Sequence, residues 1–327
     1  MKTLLKAGFV ITCSAALIAC GGSSSSGDKS ANNSPNTSSN FKSPEGAAVA
    51  AAMGVGFVGM GNALARDTVD LNDEEETLST QRMIRSGDDS MPCDSGSHTT
   101  STGLKASPHF EENLFNNLDT EVNTFNNCSF SSQGFSAKIN GRSEIGDNGD
   151  AFYAKITDPS GSLSTGYYTS TMKFGGDSMT SKMRIVQEGK ETQSSAEYYS
   201  YADMDISFSG EKLKLRMGAN PTTPLIVTTK DATGGFEEST IDGYLGVTIN
   251  PQCSFAATYK TIEPLLAPIA DPDNDDADDT PIAGEVNINI EGDKSYHVKF
   301  DSTGVWVDGK RFSEQDLDKK IGDACGD

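Results

Sequence analysis

Asp203-Met204-Asp205-Ile206-Ser207-Phe208-Ser209 and, directly after it, Lys212-Leu213-Lys214-Leu215-Arg216-Met217 decide the fold. Both runs alternate strictly between polar and apolar residues. A period of two places every apolar side chain on one face of an extended strand and every polar one on the other. Each run is therefore a strand with one buried and one wet face.

The same rule extends in both directions. Phe152-Tyr153-Ala154-Lys155-Ile156 obeys it upstream, and Val286-Asn287-Ile288-Asn289-Ile290 and Tyr296-His297-Val298-Lys299-Phe300 obey it downstream. Turn signals separate such runs: Asn140-Gly141, Asp147-Asn148-Gly149, Gly175-Gly176-Asp177, Gly234-Gly235, Asp242-Gly243 and Asp308-Gly309. Parallel strands need long crossovers, and no long helical pattern intervenes, so the pairing is expected to be antiparallel. Residues 93–327 are thus expected to form one all-β domain: a many-stranded curved sheet, a half-open barrel or a sandwich. Only Ser313–Ile321 reads as a helix there, a short C-terminal one with Ser313 as its N-cap.

Upstream the composition changes three times. Residues 66–92 are an acidic linker centred on Asp73-Glu74-Glu75-Glu76. Residues 45–65 are rich in Ala and Gly, and Gly46 to Gly61 carries no charge. That run falls short of the ~20 apolar residues a spanning helix needs, so a short helix docked on the domain, or a mobile apolar flap, is expected rather than a membrane span. Residues 20–44 are rich in Ser and Asn, with no apolar periodicity, and read as a flexible tether of roughly 25–30 Å reach.

Residues 1–19 have signal-peptide anatomy: Lys2 and Lys6, then a run without charge from Ala7. The run closes with Leu17-Ile18-Ala19-Cys20, which resembles the bacterial lipobox. The resemblance implies a diacylglyceryl group on the Cys20 sulfur, cleavage before Cys20, and acylation of the new amine by a palmitate-type chain. Gly21 stands where an Asp resembles an inner-membrane retention signal, so the outer membrane is the expected address in the cell envelope.

The full chain of 327 residues has a formal charge of −21, and loss of Lys2 and Lys6 with the leader takes it to −23. Such a chain repels nucleic acid and anionic headgroups. Nucleic acid is therefore not an expected partner, and the lipid is expected to supply the whole of the membrane attachment. After Cys13 and Cys20, four cysteines remain: Cys93, Cys128, Cys253 and Cys325. In an exported chain an even number points to two disulfides. Three pairings are open, of which the sequential one, Cys93–Cys128 with Cys253–Cys325, is preferred.

Cys93-Asp94-Ser95-Gly96, Asn126-Asn127-Cys128-Ser129 and Ile139-Asn140-Gly141 form an opening pattern. Ala283-Gly284-Glu285-Val286-Asn287-Ile288, Tyr296 to Phe300, and Val305-Trp306-Val307-Asp308-Gly309 form a closing one. Together they resemble a group of uncharacterised proteobacterial β-rich lipoproteins over roughly residues 90–310. The resemblance implies a Cys93–Cys128 disulfide and no activity.

Candidate chemistry is sparse. Asp271, Asp273 and Asp275 alternate as calcium ligands do, but Asp276 and Ile282 stand where an EF-hand loop needs Gly and Glu. A solvated acidic loop is the preferred reading, with weak calcium association as the rival and no other cofactor expected. Gly176-Asp177-Ser178 resembles the nucleophile block of GDSL-type lipases, yet Asp293 precedes His297 by four residues rather than three. A glycine turn opening a strand is preferred to a serine hydrolase. His297 is assigned to the polar face of its strand, and Trp306 to the core. The expected role is a non-enzymatic structural or interaction module. A carrier of an apolar ligand such as lipid in a half-open barrel is the alternative, and a Ser178 hydrolase a weaker one.

Overall fold

The computed structural model describes residues 37–69, 93–103, 120–132, 134–147, 150–269 and 281–325. Fifteen strands form one sheet, and every pairing in it is antiparallel. β1 (Ser95–Gly103), β2 (Thr120–Ser132) and β3 (Phe135–Asp147) follow one another as neighbours. β4 (Ala151–Thr157) and β5 (Tyr168–Phe174) then share one lane, end to end, between β3 and β6 (Asp177–Thr192). The arrangement repeats. β8 (Glu211–Met217) and β9 (Leu225–Ala232) lie end to end between β7 (Ser195–Phe208) and β10 (Phe236–Thr248). β11 (Ser254–Pro268), β12 (Ala283–Ile290), β13 (Ser295–Asp301), β14 (Gly304–Val307) and β15 (Lys310–Phe312) complete the meander. The pairing path ends at β1 and at β15 without closing.

Register explains the core. Ala202 pairs Met217, Met217 pairs Leu245, Leu245 pairs Ala257, and Ala257 pairs Ile290. All five lie on one face and are buried. The alternate residues Asp203 and Arg216 pair with each other on the opposite, outer face. Each fully buried Leu, Ile, Val or Phe contributes about 1.5–3 kcal/mol, which makes this face the main source of stability.

A second layer seals the core. α1 (Pro44–Val69) packs on β10 and on β12 to β15. Ser43 caps it, its Oγ accepting from the Gly46 N–H at 3.0 Å, and Pro44 opens it. Ala47 to Ala51 are buried on every side. The Ala/Gly composition now has a cause: a Cβ on Gly54 would stand 2.5 Å from the Tyr259 ring, and one on Gly46 only 2.3 Å from Phe41 Cα. Small residues let the helix sit close enough for Tyr259 to donate to the Ala50 carbonyl at 2.7 Å. The helix is longer than expected, 26 residues, and runs four positions past residue 65 into the segment assigned to the acidic linker.

The tether is corrected at its end. Coil was expected through residue 44, but the chain is fixed from Thr37. Ser38 donates from its backbone to Ser254 O at 2.8 Å and from its hydroxyl to Gln252 O at 2.6 Å. Phe41, in a 3₁₀ turn over Ser39–Phe41, is 1% exposed and packs against Phe255 with the rings tilted and their centroids 5.2 Å apart. One aromatic anchor outweighs the polar residues around it.

At the other end Ser313 caps α2 (Glu314–Cys325) in a reciprocal box. Its Oγ accepts from the Asp316 N–H at 3.2 Å, while the Asp316 carboxylate accepts from the Ser313 N–H at 2.8 Å. The helix continues past Ile321 to Cys325. Both disulfides form with the sequential pairing, Cys93–Cys128 and Cys253–Cys325. A smaller core of Phe125, Cys128, Phe130, Ala137, Ile139 and Tyr168 lies under the first of them.

Candidate functional site on the outer face

Cys20, Asp271, Asp273 and Asp275 lie outside the described residues. Ser178 is exposed near the start of β6, paired across the β5–β6 hairpin with Lys173. It does not meet the other members of its proposed set. β7, β8, β10, β11 and β12 separate β6 from β13 in the pairing order. Asp293 accepts from the Tyr296 hydroxyl at 2.6 Å, and His297 Nε2 lies 3.0 Å from Glu285 Oε2. Lys299 reaches the other Glu285 oxygen at 3.4 Å. The His297 contact first, and Lys299 with it, hold the Glu285 carboxyl below the usual carboxylate range. His98 stacks on Phe125 at 4.4 Å, with Nε2 2.9 Å from Asn123 Oδ1.

Trp306 is corrected. Val305 and Val307 are buried, so alternation turns Trp306 to the outer face, where it is half-buried and in register with Lys299 and Arg311. Core assignment from residue type alone gave way to strand parity.

The outer face of β5 to β8 brings charged side chains and an aromatic ring together. Lys182, Asp205 and Lys214 lie in register across three strands, and Arg184, Asp203 and Arg216 form the next row. Each aspartate is thus flanked by a cation on either side. Arg184 Nη2 contacts Asp203 at 2.6 Å, and Lys214 Nζ lies 3.6 Å from Asp205. Tyr167 closes the cluster, its hydroxyl donating to Asp203 at 2.8 Å. Lys182 and Arg184 sit over its ring at 4.2 and 4.4 Å. Burial, together with the hydrogen bond to the Asp203 carboxylate, pushes the Tyr167 phenol up to about 12, so it remains a donor. Arg184 Nη1 also donates to Leu163 O at 2.8 Å, which pins the β4–β5 connection to the cluster.

Beyond these rows, toward the hairpin turns, lies an open depression of about 290 Å3 lined by Lys138, Lys173, Asp94, four hydroxyl residues (Ser129, Ser131, Ser136 and Thr171), Phe130 and Ala137. Asp94 accepts from Ser131 at 3.0 Å. Lys138 and Lys173 bring positive charge to its rim, and the Asp94 carboxylate opposes it. The sequence carried one signal for this face: Lys182 and Arg184, Asp203 and Asp205, Lys214 and Arg216 are each spaced by two. Only the register of β6, β7 and β8 shows that they align.

Among the described residues no group of three His, Cys, Asp or Glu side chains converges to hold a metal. No helix among them is long and apolar enough to cross a membrane. Compared with protein families, with curated proteins and with solved structures, the chain matches none, so what it does must be argued from its own residues.

Proposed function

We propose that this chain is a lipid-anchored module of the bacterial cell envelope, placed at the outer membrane and acting in a non-enzymatic structural or interaction role. The observation that carries the proposal is Leu17-Ile18-Ala19-Cys20 at the close of a charged-then-apolar leader. The two disulfides support an oxidising compartment. The broad outer face of the sheet supports an interaction role, since it offers fixed cations and rings to a partner. The apolar-carrier alternative draws less support, because α1 packs on the core face of β10 and β12 to β15 and the described depression opens on the outer face. The Ser178 alternative draws less still, given the partners of His297 and Asp293.

Cys20→Ser is expected to abolish acyl incorporation and to accumulate unprocessed precursor, read by labelled-palmitate incorporation and by mass. Acylation that persists in this variant would overturn the proposal.

A further inference from the structure

Three hairpin turns adjoin at one edge of the sheet: β2–β3 at Gly134, β5–β6 at Gly175 and Gly176, and β7–β8 at Ser209 and Gly210. They are hydrogen-bonded side by side, Gly175 N donating to Gly134 O at 3.1 Å and Ser209 N to Ser178 O at 2.8 Å. A Cβ at Gly134, Gly175, Gly176 or Gly210 would meet nothing within 4 Å, so the turns stand clear of the described residues.

The side chains at this edge are sorted by face. On the core side Phe174 is 52% exposed and Phe208 40%. Phe174 packs on half-buried Phe135 at 4.5 Å, and Phe135 on Phe130 at 5.7 Å. Single exposed apolar residues need no explanation, but Phe174 and Phe208 share one face two lanes apart, with half-buried Met172 and Met179 in register between them. On the outer side stand exposed Lys138, Lys173 and Lys212, with Lys182 and Lys214 one row behind. Asp177 and Glu211 flank the rings, and Asp177 is held by the Ser209 hydroxyl at 3.0 Å. In a chain of formal charge −21, an outer face this rich in lysine runs against the whole.

The anchored end of the chain arrives at the same edge. Lys214 of β8 pairs with Thr248 of β10, and Thr248 pairs with Ser254 of β11, so the Ile249–Cys253 turn belongs to the edge that carries the β7–β8 turn. Ser38 binds there. Three lane steps separate β11 from β7, roughly 15 Å in a flat sheet. The tether expected between Cys20 and Thr37 would have a mean reach of roughly 20–25 Å.

We infer that this hairpin edge is a second membrane contact: Phe174 and Phe208 enter the interface of a bilayer bearing anionic phosphate headgroups, and Lys138, Lys173 and Lys212 engage those phosphates. The position of the anchor rests on the lipoprotein reading above, whereas the ring-and-lysine edge does not. Rings at headgroup depth beside lysines over anionic lipid are the physical requirements of interfacial binding. The expectation that acidity leaves the polypeptide no part in attachment changes accordingly. Net charge describes the whole molecule, and this edge is locally reversed on its outer side.

The test uses the full chain purified in its membrane-processed form, carrying Phe174→Trp. Vesicles of phosphatidylethanolamine and phosphatidylglycerol with brominated acyl chains supply the quencher, and the parent protein supplies the Trp306 background. Quenching and a blue shift of the introduced indole are expected. The acyl chain holds every variant on the vesicle, so the lysines are read at the indole: each of Lys138→Glu, Lys173→Glu and Lys212→Glu should lower the docked-to-undocked ratio that the quenching reports at least about fivefold, an effect that fades in high salt. An indole that stays unquenched and unshifted while the protein is vesicle-bound overturns the inference, and is what an edge reserved for a protein partner would give. The mass of the N-terminal peptide reports the Cys20 acyl chain separately. Acylation without quenching leaves the anchor and removes the edge; quenching without acylation does the reverse.

Discussion

The two ends of the sheet carry similar strands and reach different states. In β12 and β13 every core-side residue from Val286 to Ile290 and from Tyr296 to Phe300 is buried, and every intervening one is exposed. In β5 and β6 the core-side Met172, Phe174, Met179 and Met183 are only partly buried or exposed. Strand period does not separate them. The C-terminal end has α1, α2 and the 3₁₀ turn laid against it, and the main core collects there. The N-terminal end has the small cluster braced by Cys93–Cys128. Alternation chooses the face that can be buried; a second layer decides whether it is.

The largest expected contrast is between cores. Phe300→Ala should cost about 3–5 kcal/mol, the usual cavity penalty for a closed site. Phe130→Ala should cost less, roughly 1.5–3 kcal/mol, because its smaller cluster can collapse. Urea unfolding followed by far-UV dichroism measures both. Equal losses would mean that the two clusters behave as one core.

The disulfides sharpen the same contrast. They close chain separations of 35 and 72 residues, and loop entropy assigns about 4 kcal/mol to each. Their local effects should differ. Replacing Cys253 and Cys325 by Ser should also loosen α2, whose end is tied as well by the Asn250 amide donating to Cys325 O at 2.6 Å. Hydrogen exchange should then rise in α2 and stay unchanged in β2. Replacing Cys93 and Cys128 should do the opposite, and equal loosening in both places would break the division.

Acid should give the smallest effect, with a direction of its own. At the C-terminal end Glu45, Glu285, Asp308 and Asp316 are held low, chiefly by hydrogen bonds from Lys310, His297, Lys294 and Ser313. A carboxyl depressed on folding stabilises fully above its unfolded value, near 4, and loses that contribution as pH falls through the folded value. These groups are largely solvated, so each loss is small. Melting temperature should be flat from pH 7 to about 5 and fall below about 4.5, with α2 and β12 to β14 loosening first by hydrogen exchange. A midpoint that rises on acidification would contradict these pairings.

Much of the fold was legible because a period of two and glycine turns are local signals. The all-β antiparallel class, the capping role of Ser313 and the outward placement of His297 followed from neighbours in sequence. What was not legible depended on partners far along the chain. Phe41 fixes the end of the tether only because Phe255 meets it. The length of α1 was hidden by the acidic residues beyond Ala65. Trp306 was assigned by residue type, when the parity of Val305 and Val307 already pointed it outward. The cation rows needed the register of three strands, which no single strand encodes.

The shared lanes have a consequence of their own. Between β4 and β5, and again between β8 and β9, the sheet has a seam at which one lane stops and another starts. β3 and β6 run unbroken past the first seam, β7 and β10 past the second, each like a splint across a fracture. An insertion at exposed Ser164 and Thr165, or in the exposed turn from Asn220 to Thr222, therefore leaves every rung of these strands paired. The molecule keeps its span while holding two positions open to new loops.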